Sequence, residues 1–474
     1  MANPALMSTH TAPSSSVAVL PSIIIRNPAT GEVAGTIAPT SLGEIECAVA
    51  RARAAQPAWV ALGVDARATV VKSAIDALKS RAAEMGALAC AEMGKPLSEA
   101  IGEANYSADG LAREIDEIVE ALRPEVLEDE KTSTRLHFDA LGVAAVITPW
   151  NFPILMPAQS AVPALIAGNT VVLKPSEVSP LCADMWAQCL INVLPAGVLQ
   201  IVHGDGTQGS ALVRSAVDLI IFTGSRATGA LIMRDAAAGL KRLILELGGK
   251  DPLIVLEDAD ITAAAAFAVR NSFRNSGQVC VSTERIYVAD KVADAFTAAV
   301  VDGARALKQG DGALATTEIG PMASARQKKI VMDQLRGAIA DGAKCLFGEC
   351  DGNAASAGNF IRPTVLVGVT HAMSIMRDET FGPVASIMRV KSDDEAVALA
   401  NDTPYGLGAA VFGSQDRAAR VAEQLTAGMV GINRGCGGAT GSPWVGARQS
   451  GHGFHSGKYG HRQFAQMRSV SRAR

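Results

Sequence analysis

Aromatic side chains are scarce: Phe, Trp and Tyr make up 4% of the 474 residues, although 49% of the chain is hydrophobic. A core with so little ring area must close around Ala, Val, Leu and Gly, which suits helices packed tightly on sheets in an α/β enzyme. Paired cysteine spacing is missing too. The eight cysteines, at 47, 90, 182, 189, 280, 345, 350 and 436, form no CxxC pair and no Cys/His cluster of zinc-site type. They read as reduced thiols of a cytoplasmic protein, mostly core filler, and no metal is expected. There is no large excess of either charge. The net charge is −4, so no basic field points to nucleic acid. No apolar run approaches the ~20 residues that span a bilayer. Leu141–Ile147 is apolar but short, and Pro149 ends it. The N-terminal stretch 1–24, rich in Ser, Ala, Thr and Pro at its start, lacks the basic and apolar regions of a secretory signal and reads as a loose arm.

What is present is periodic. At roughly 150 residues per domain, the length suggests two or three domains. Ala, Leu and Val recur at helical spacing through Glu44–Ala61, Ala66–Cys90 and Leu97–Leu122. Residues 125–142 change character and read as an excursion of strands. From 143 the pattern becomes β-α repeated, with apolar runs at Val143–Ile147, Thr170–Leu173, Val198–Val202, Leu219–Phe222 and Leu243–Leu245. A second series runs through Pro252–Leu256, Arg285–Val288, Lys344–Phe347, Val384–Val390 and Val430–Asn433. Alternation of this kind predicts two α/β domains built on parallel sheets. The tail Phe464–Val470 alternates again and is available to pair with another strand.

Three segments carry chemistry. Phe273–Cys280 sets one cysteine behind a glycine-containing turn. Glu246 precedes Leu247-Gly248-Gly249-Lys250, and Asn151 sits within Pro149-Trp150-Asn151-Phe152-Pro153. A thiol, a carboxylate and a carboxamide are the nucleophile, base and oxyanion donor needed for covalent chemistry on a carbonyl. Singly, each has a structural reading: Cys280 as a buried small hydrophobe, Glu246 as a partner of Lys250, and Asn151 as an Asx-turn residue.

Phosphate-binding signals compete. Gly204-Asp205-Gly206-Thr207-Gln208-Gly209 is a literal GxGxxG between a strand and a helix, but the acidic residue expected about 20 positions later is missing. Phe222-Thr223-Gly224-Ser225 ends a strand at a helix start that Ser225 can cap, where backbone N–H groups attract pyrophosphate. Lys174-Pro175-Ser176-Glu177 offers a lysine for ribose or phosphate oxygens. Its glutamate would accept from a ribose 2′-hydroxyl and repel a 2′-phosphate. Taken alone, the second reads as an ordinary capped helix and the third as a solvated turn.

Together, Pro149–Pro153, Lys174–Glu177, Phe222–Ser225, Glu246–Gly249, Gly277–Cys280, Glu379-Thr380-Phe381-Gly382-Pro383 and Asn401–Gly408 resemble the motifs of the aldehyde dehydrogenase superfamily, in that family's order and over nearly the whole chain. The resemblance implies an aldehyde dehydrogenase-like α/β fold. A Rossmann-type cofactor domain (25–124 and 143–250) would stand beside an α/β catalytic domain (251–433). A small β oligomerisation element (125–142 and 452–474) would make a homodimer or homotetramer. Residues 434–451 would form a substrate-tunnel loop that returns to the cofactor domain. The implied cofactor is NAD, with NADP as the alternative. Its pocket would comprise Ile147, Thr148, Pro149, Trp150, Lys174, Ser176, Glu177, Gly204, Phe222, Thr223, Gly224, Ser225, Leu247, Gly248, Glu379 and Phe381. In this scheme Thr223–Ser225, rather than the literal GxGxxG, holds the cofactor.

The implied reaction is oxidation of an aldehyde to an acid. Cys280 forms a hemithioacetal held by Asn151, hydride leaves, and Glu246 activates water to hydrolyse the thioester. Family members that acylate coenzyme A generally lack a glutamate at position 246. A non-enzymatic, crystallin-like member would be marked by loss of the cysteine or the glutamate. Substrate-lining positions would be Gln159, Arg274, Val279, Val281 and Trp444. Succinate-semialdehyde dehydrogenases tend to carry arginine at both 159 and 274, and this chain has one. Arg274 suggests a polar or carboxylate-bearing aldehyde. The alternative is a broad aliphatic or aromatic specificity with Arg274 salt-bridged to a neighbour.

Overall fold

The run Val143–Ile147 is buried at every position, as a strand covered on both faces by helices must be. In the computed structural model, which describes residues 21–351 and 357–474, it lies inside a six-stranded sheet. The order is Gly451–His452, Arg242–Leu247, Leu219–Gly224, Val143–Ile147, Thr170–Lys174, Leu199–Ile201. Every neighbouring pair is parallel except the first, a two-residue antiparallel edge. The arm 1–24 falls outside the described residues except for its last four, and Ile23 already begins a strand, Ile23–Arg26.

The chain leaves this sheet at Leu247 and enters a second one at Asp251. That sheet has seven strands, ordered Lys344–Phe347, Thr364–Val367, Val384–Val390, Thr283–Ala289, Asp251–Val255, Gly408–Phe412, Met429–Ile432. As expected, this sheet is parallel except at one edge, where Lys344–Phe347 runs antiparallel to its neighbour. Two of the seven strands were not anticipated. Thr364–Val367 is only four residues long, and Gly408-Ala-Ala-Val-Phe412 has weak strand propensity; burial between neighbours makes it a strand.

A third sheet, antiparallel, joins Ala465–Ala473 to Thr132–Ala140 and then to Glu125–Glu128. The tail therefore closes on the excursion of its own chain.

Two further expectations are corrected. The single helix foreseen over Ala66–Cys90 is broken into Val64–Lys72, Ile75–Ser80 and Ala82–Met93. Ser73 Oγ donates to Val70 O and Ser80 Oγ to Ala77 O, local bonds that compete with a continuing helical ladder. The cysteines are not all free: Cys345 and Cys350 form a disulfide with Cα atoms 5.1 Å apart. The turn at Gly348, with φ of +105°, folds the chain back to bring them together.

Among the described residues, no helix is long and apolar enough to cross a membrane. Nor does any group of three or more His, Cys, Asp or Glu among them make a metal centre.

Candidate active site

The cysteine loop is shaped by backbone that most residues avoid. Helix Ile261–Phe273 ends, and Asn275, Ser276 and Gly277 follow with φ of +50°, +57° and +70°. Left-handed conformations cost non-glycine residues roughly 1–2 kcal/mol each, so the loop must be held by its surroundings. Ser276 Oγ donates to Gly320 O at 2.8 Å. Gln278 Nε2 donates to Asn275 O at 3.0 Å, and its Oε1 accepts from Ala323 N at 2.9 Å. Gly277 is the one residue that fits its position, since a Cβ there would lie 2.1 Å from Gly382 O. Cys280 emerges half-buried beyond this turn, between the half-buried Val279 and Val281.

Asn151 is tied to the same loop. Its Nδ2 donates to Gln278 O at 3.1 Å. Asn275 Nδ2 donates to Gln278 O and, at 3.3 Å, to Asn151 O. One carboxamide N–H is therefore engaged near the cysteine. The other has no partner among the described residues and is free to meet an oxygen.

Glu246, next to last in its strand, is in register with Thr223 on one side and Gly451 on the other. It is 5% exposed, and neither carboxyl oxygen has a hydrogen-bond partner among the described residues. Burial alone holds its carboxyl well above the usual range. The alternative pairing with Lys250 does not occur. Lys250 Nζ donates to Glu284 Oε2 at 2.6 Å and to Thr380 Oγ1 at 2.9 Å. The Cys280 thiol is likewise pushed far up, first by burial and then by the nearby Asp251, Cys436, Glu246 and Glu379. A thiol and a carboxyl thus share a poorly solvated space, and each resists ionisation.

The carboxyl ends of the first sheet gather the expected cofactor residues. Ile147 is in register with Lys174 on one side and Phe222 on the other, and Gly224 with Leu247. In open α/β sheets this end is where ligands bind. The Thr148 hydroxyl is buried there with no partner among the described residues. Ser225, a neutral cap, accepts from Thr228 N at the start of helix Arg226–Ala236, leaving the N-terminal field of that helix for an anion. The literal GxGxxG differs. The Asp205 carboxylate accepts from Thr207 N, and Gln208 completes a capping box. A negative charge already fills that helix start, which opposes a phosphate.

Lys174 is buried, its ammonium pKa lowered mainly by burial, and its Nζ donates to Pro175 O. Ser176 Oγ accepts from Val178 N, while Glu177 is exposed. Glu379 accepts from Gly249 N at 3.1 Å and lies so close to Gly248 that a Cβ there would clash with its carboxylate. The Phe381 ring meets Trp150 edge-on, centroids 5.5 Å apart. Thr380 and Phe381 donate their amide N–H groups to Glu284. An elongated ligand with an anionic middle fits this edge.

Of the expected substrate residues, Val279 and Val281 flank the thiol directly. Gln159 is half-buried on helix Leu155–Ile166. The Arg274 side chain is 57% exposed, its Nε 3.9 Å from Glu99 Oε2, its guanidinium 5.8 Å from the Phe152 ring centre. So long and exposed an ion pair is worth about 0–1 kcal/mol and leaves the guanidinium able to take another anion. Trp444 pairs with His455 through the backbone and stacks on its ring at 6.3 Å.

Several residues at the site were missed. Cys436 packs over Gly408 beside Asp251, its thiol pushed up to about 12 mainly by burial. Lys95, Glu99, Glu103 and Glu284 brace the loops. One signal was available: Glu103 falls on the face of helix Leu97–Ala121 that also buries Ala100, Ala104, Ala108 and Leu111.

The model of the Aldehyde dehydrogenase family matches residues 18–470. A glutarate-semialdehyde dehydrogenase of Pseudomonas putida is 37% identical, with 94% of this chain and 93% of the relative covered. A succinate-semialdehyde dehydrogenase (NADP(+)) of Escherichia coli is 36% identical, with 94% and 93% covered. Among solved structures, an E. coli NADP dependent enzyme superposes with a TM-score of 0.91 at 34% identity, covering 96% of this chain and 95% of the other.

Proposed function

This chain belongs to the aldehyde dehydrogenase family and is an NAD(P)-dependent aldehyde dehydrogenase; we propose which of its residues do the work and on what kind of aldehyde. The observation that carries the assignment is a buried, unpartnered Glu246 carboxyl near enough to Cys280 to raise its pKa. In the resting state the thiol keeps its proton, which it must lose to solvent before it reacts. The sulfur then attacks the aldehyde carbon. The oxygen gains charge and is met by the free Asn151 N–H and the Cys280 backbone N–H.

Lys174, Ser176, Glu177, Thr223–Ser225 and the Glu379–Phe381 turn would hold the dinucleotide. The chemistry it supplies is acceptance of hydride from the carbon bonded to Cys280. Glu246 then removes a proton from water, which attacks the thioester and releases the acid. An acyl transfer to coenzyme A would need no such base, so Glu246 favours the hydrolytic outcome. Glu177, at the end of its strand, favours NAD over NADP because a 2′-phosphate would meet its charge.

The substrate we propose is a short aldehyde carrying a carboxylate at its other end. Support comes from the mostly free guanidinium of Arg274 and from the semialdehyde names of the relatives. The test is NADH formation from succinate semialdehyde and from butyraldehyde, side by side. A kcat/KM strongly favouring the semialdehyde supports an anion clamp. Equal values, or the reverse, leave a broad aldehyde dehydrogenase and return Arg274 to a structural role.

A further inference from the structure

The turn carrying Asn151 has little means of holding itself. Pro149 and Pro153 flank it, and proline has no N–H to donate. It is gripped instead by a buried ion pair from a distant segment. Lys95 precedes helix Leu97–Ala121, and Glu99 and Glu103 lie one turn apart on that helix. The side chains of Lys95 and Glu103 are 1% and 3% exposed and hydrogen-bond each other.

Both reach past the pair. Lys95 Nζ donates to Asn151 O at 2.8 Å. Glu103 Oε1 accepts from Ile154 N at 2.9 Å and from Leu155 N at 3.0 Å, just after the turn. Glu99 faces the Asn275 amide and the Arg274 guanidinium. One helix start therefore touches both loops that meet at the thiol.

A buried ion pair is weak evidence of stabilisation, because apolar groups of like volume often serve the fold as well. Apolar groups cannot, however, hold a peptide carbonyl and two peptide N–H groups at fixed places. We propose that Lys95 and Glu103 are positioning residues, whose role is to set the Asn151 carboxamide against the Cys280 loop. This rests on the reading of Asn151 as the oxyanion donor. Losing one such donor costs about 10²–10³ in rate, and misplacing it by an ångström about 10².

The test is a Lys95→Met/Glu103→Leu double variant, which replaces the pair without stranding a charge, compared with Asn151→Ala and with the combined triple variant. Single-turnover NADH formation, alkylation of Cys280 by iodoacetamide, and Tm are measured. The double variant should form NADH about 10–100-fold more slowly, with alkylation within about twofold and Tm within a few degrees of wild type. In the Asn151→Ala background the double change should add little, because the residues act as a unit.

A wild-type rate, a full additional loss in the triple variant, or alkylation and Tm falling together with the rate would overturn the proposal. If Asn151→Ala itself runs at the wild-type rate, the oxyanion reading fails and takes the proposal with it. Should the double variant not fold, Glu103→Gln decides. A slower rate with unchanged alkylation supports positioning, and an unchanged rate refutes it.

Discussion

Glu246 shows what the site gives up for chemistry. A buried carboxyl with no partner favours its protonated form, and its folded pKa lies above the unfolded one. The stability it contributes is therefore present below the unfolded pKa and is lost as pH rises through the folded pKa. Glu246→Gln should match wild type near pH 4, and its Tm advantage should widen as pH rises. The same variant should still give one NADH per active site in a burst, while steady turnover falls about 10²–10⁴-fold; a missing burst would move the base role to acylation alone. Arg274→Leu tests the other end of the substrate. KM for succinate semialdehyde should rise at least about tenfold, one charge-assisted hydrogen bond being worth roughly 1.5–3 kcal/mol, with KM for butyraldehyde nearly unchanged. A parallel rise for both would remove the anion clamp.

At the scale of elements, two helix starts look alike in sequence and differ in electrostatics. Helix Gly206–Arg214 carries its own carboxylate at the cap, and helix Arg226–Ala236 a hydroxyl. Ser225→Asp should preserve the helix, because serine and aspartate cap about equally well. It should nevertheless weaken NAD binding at least about tenfold, by setting a negative charge where the pyrophosphate would lie. Fluorescence titration with NADH alongside a melting curve checks both halves, and unchanged affinity would place the phosphates elsewhere. The β-α repeats were legible because most strands hold a short apolar run, as Val143–Ile147 and Leu219–Phe222 do. The breaks at Ser73 and Ser80 were not, since the surrounding Ala, Leu and Val keep helical spacing across both. Strand Gly408–Phe412 escaped notice for the opposite reason: small residues make a strand there only because neighbours cover both faces.

Over the whole molecule, the tail does more than end the chain. Ala465–Ala473 pairs along its full length with Thr132–Ala140, and among the described residues no strand pairs with its other edge, where Met467 and Val470 are exposed. We expect that edge to meet a second copy of the chain. Deleting 465–474 should lower Tm and shift the mass seen by light scattering toward the monomer. A truncated chain with the full-length mass would exclude this edge as the contact.

The sequence by itself determined which residues are proposed as the reacting groups. Cys280, Glu246 and Asn151 stand in short motifs whose residue types and neighbours are local properties, and apolar runs lead into Asn151 and Glu246. Only the tertiary structure decided what surrounds those groups. That Lys250 turns to Glu284 and leaves Glu246 unpaired depends on contacts between segments far apart in the chain. So does the grip of Lys95 and Glu103 on the Asn151 turn, and so does the loose pairing of Arg274 with Glu99. Local pattern cannot encode these contacts, because burial and partner geometry set the strength and protonation of a charged side chain, and both arise only when the sheets, helices and loops close on one another.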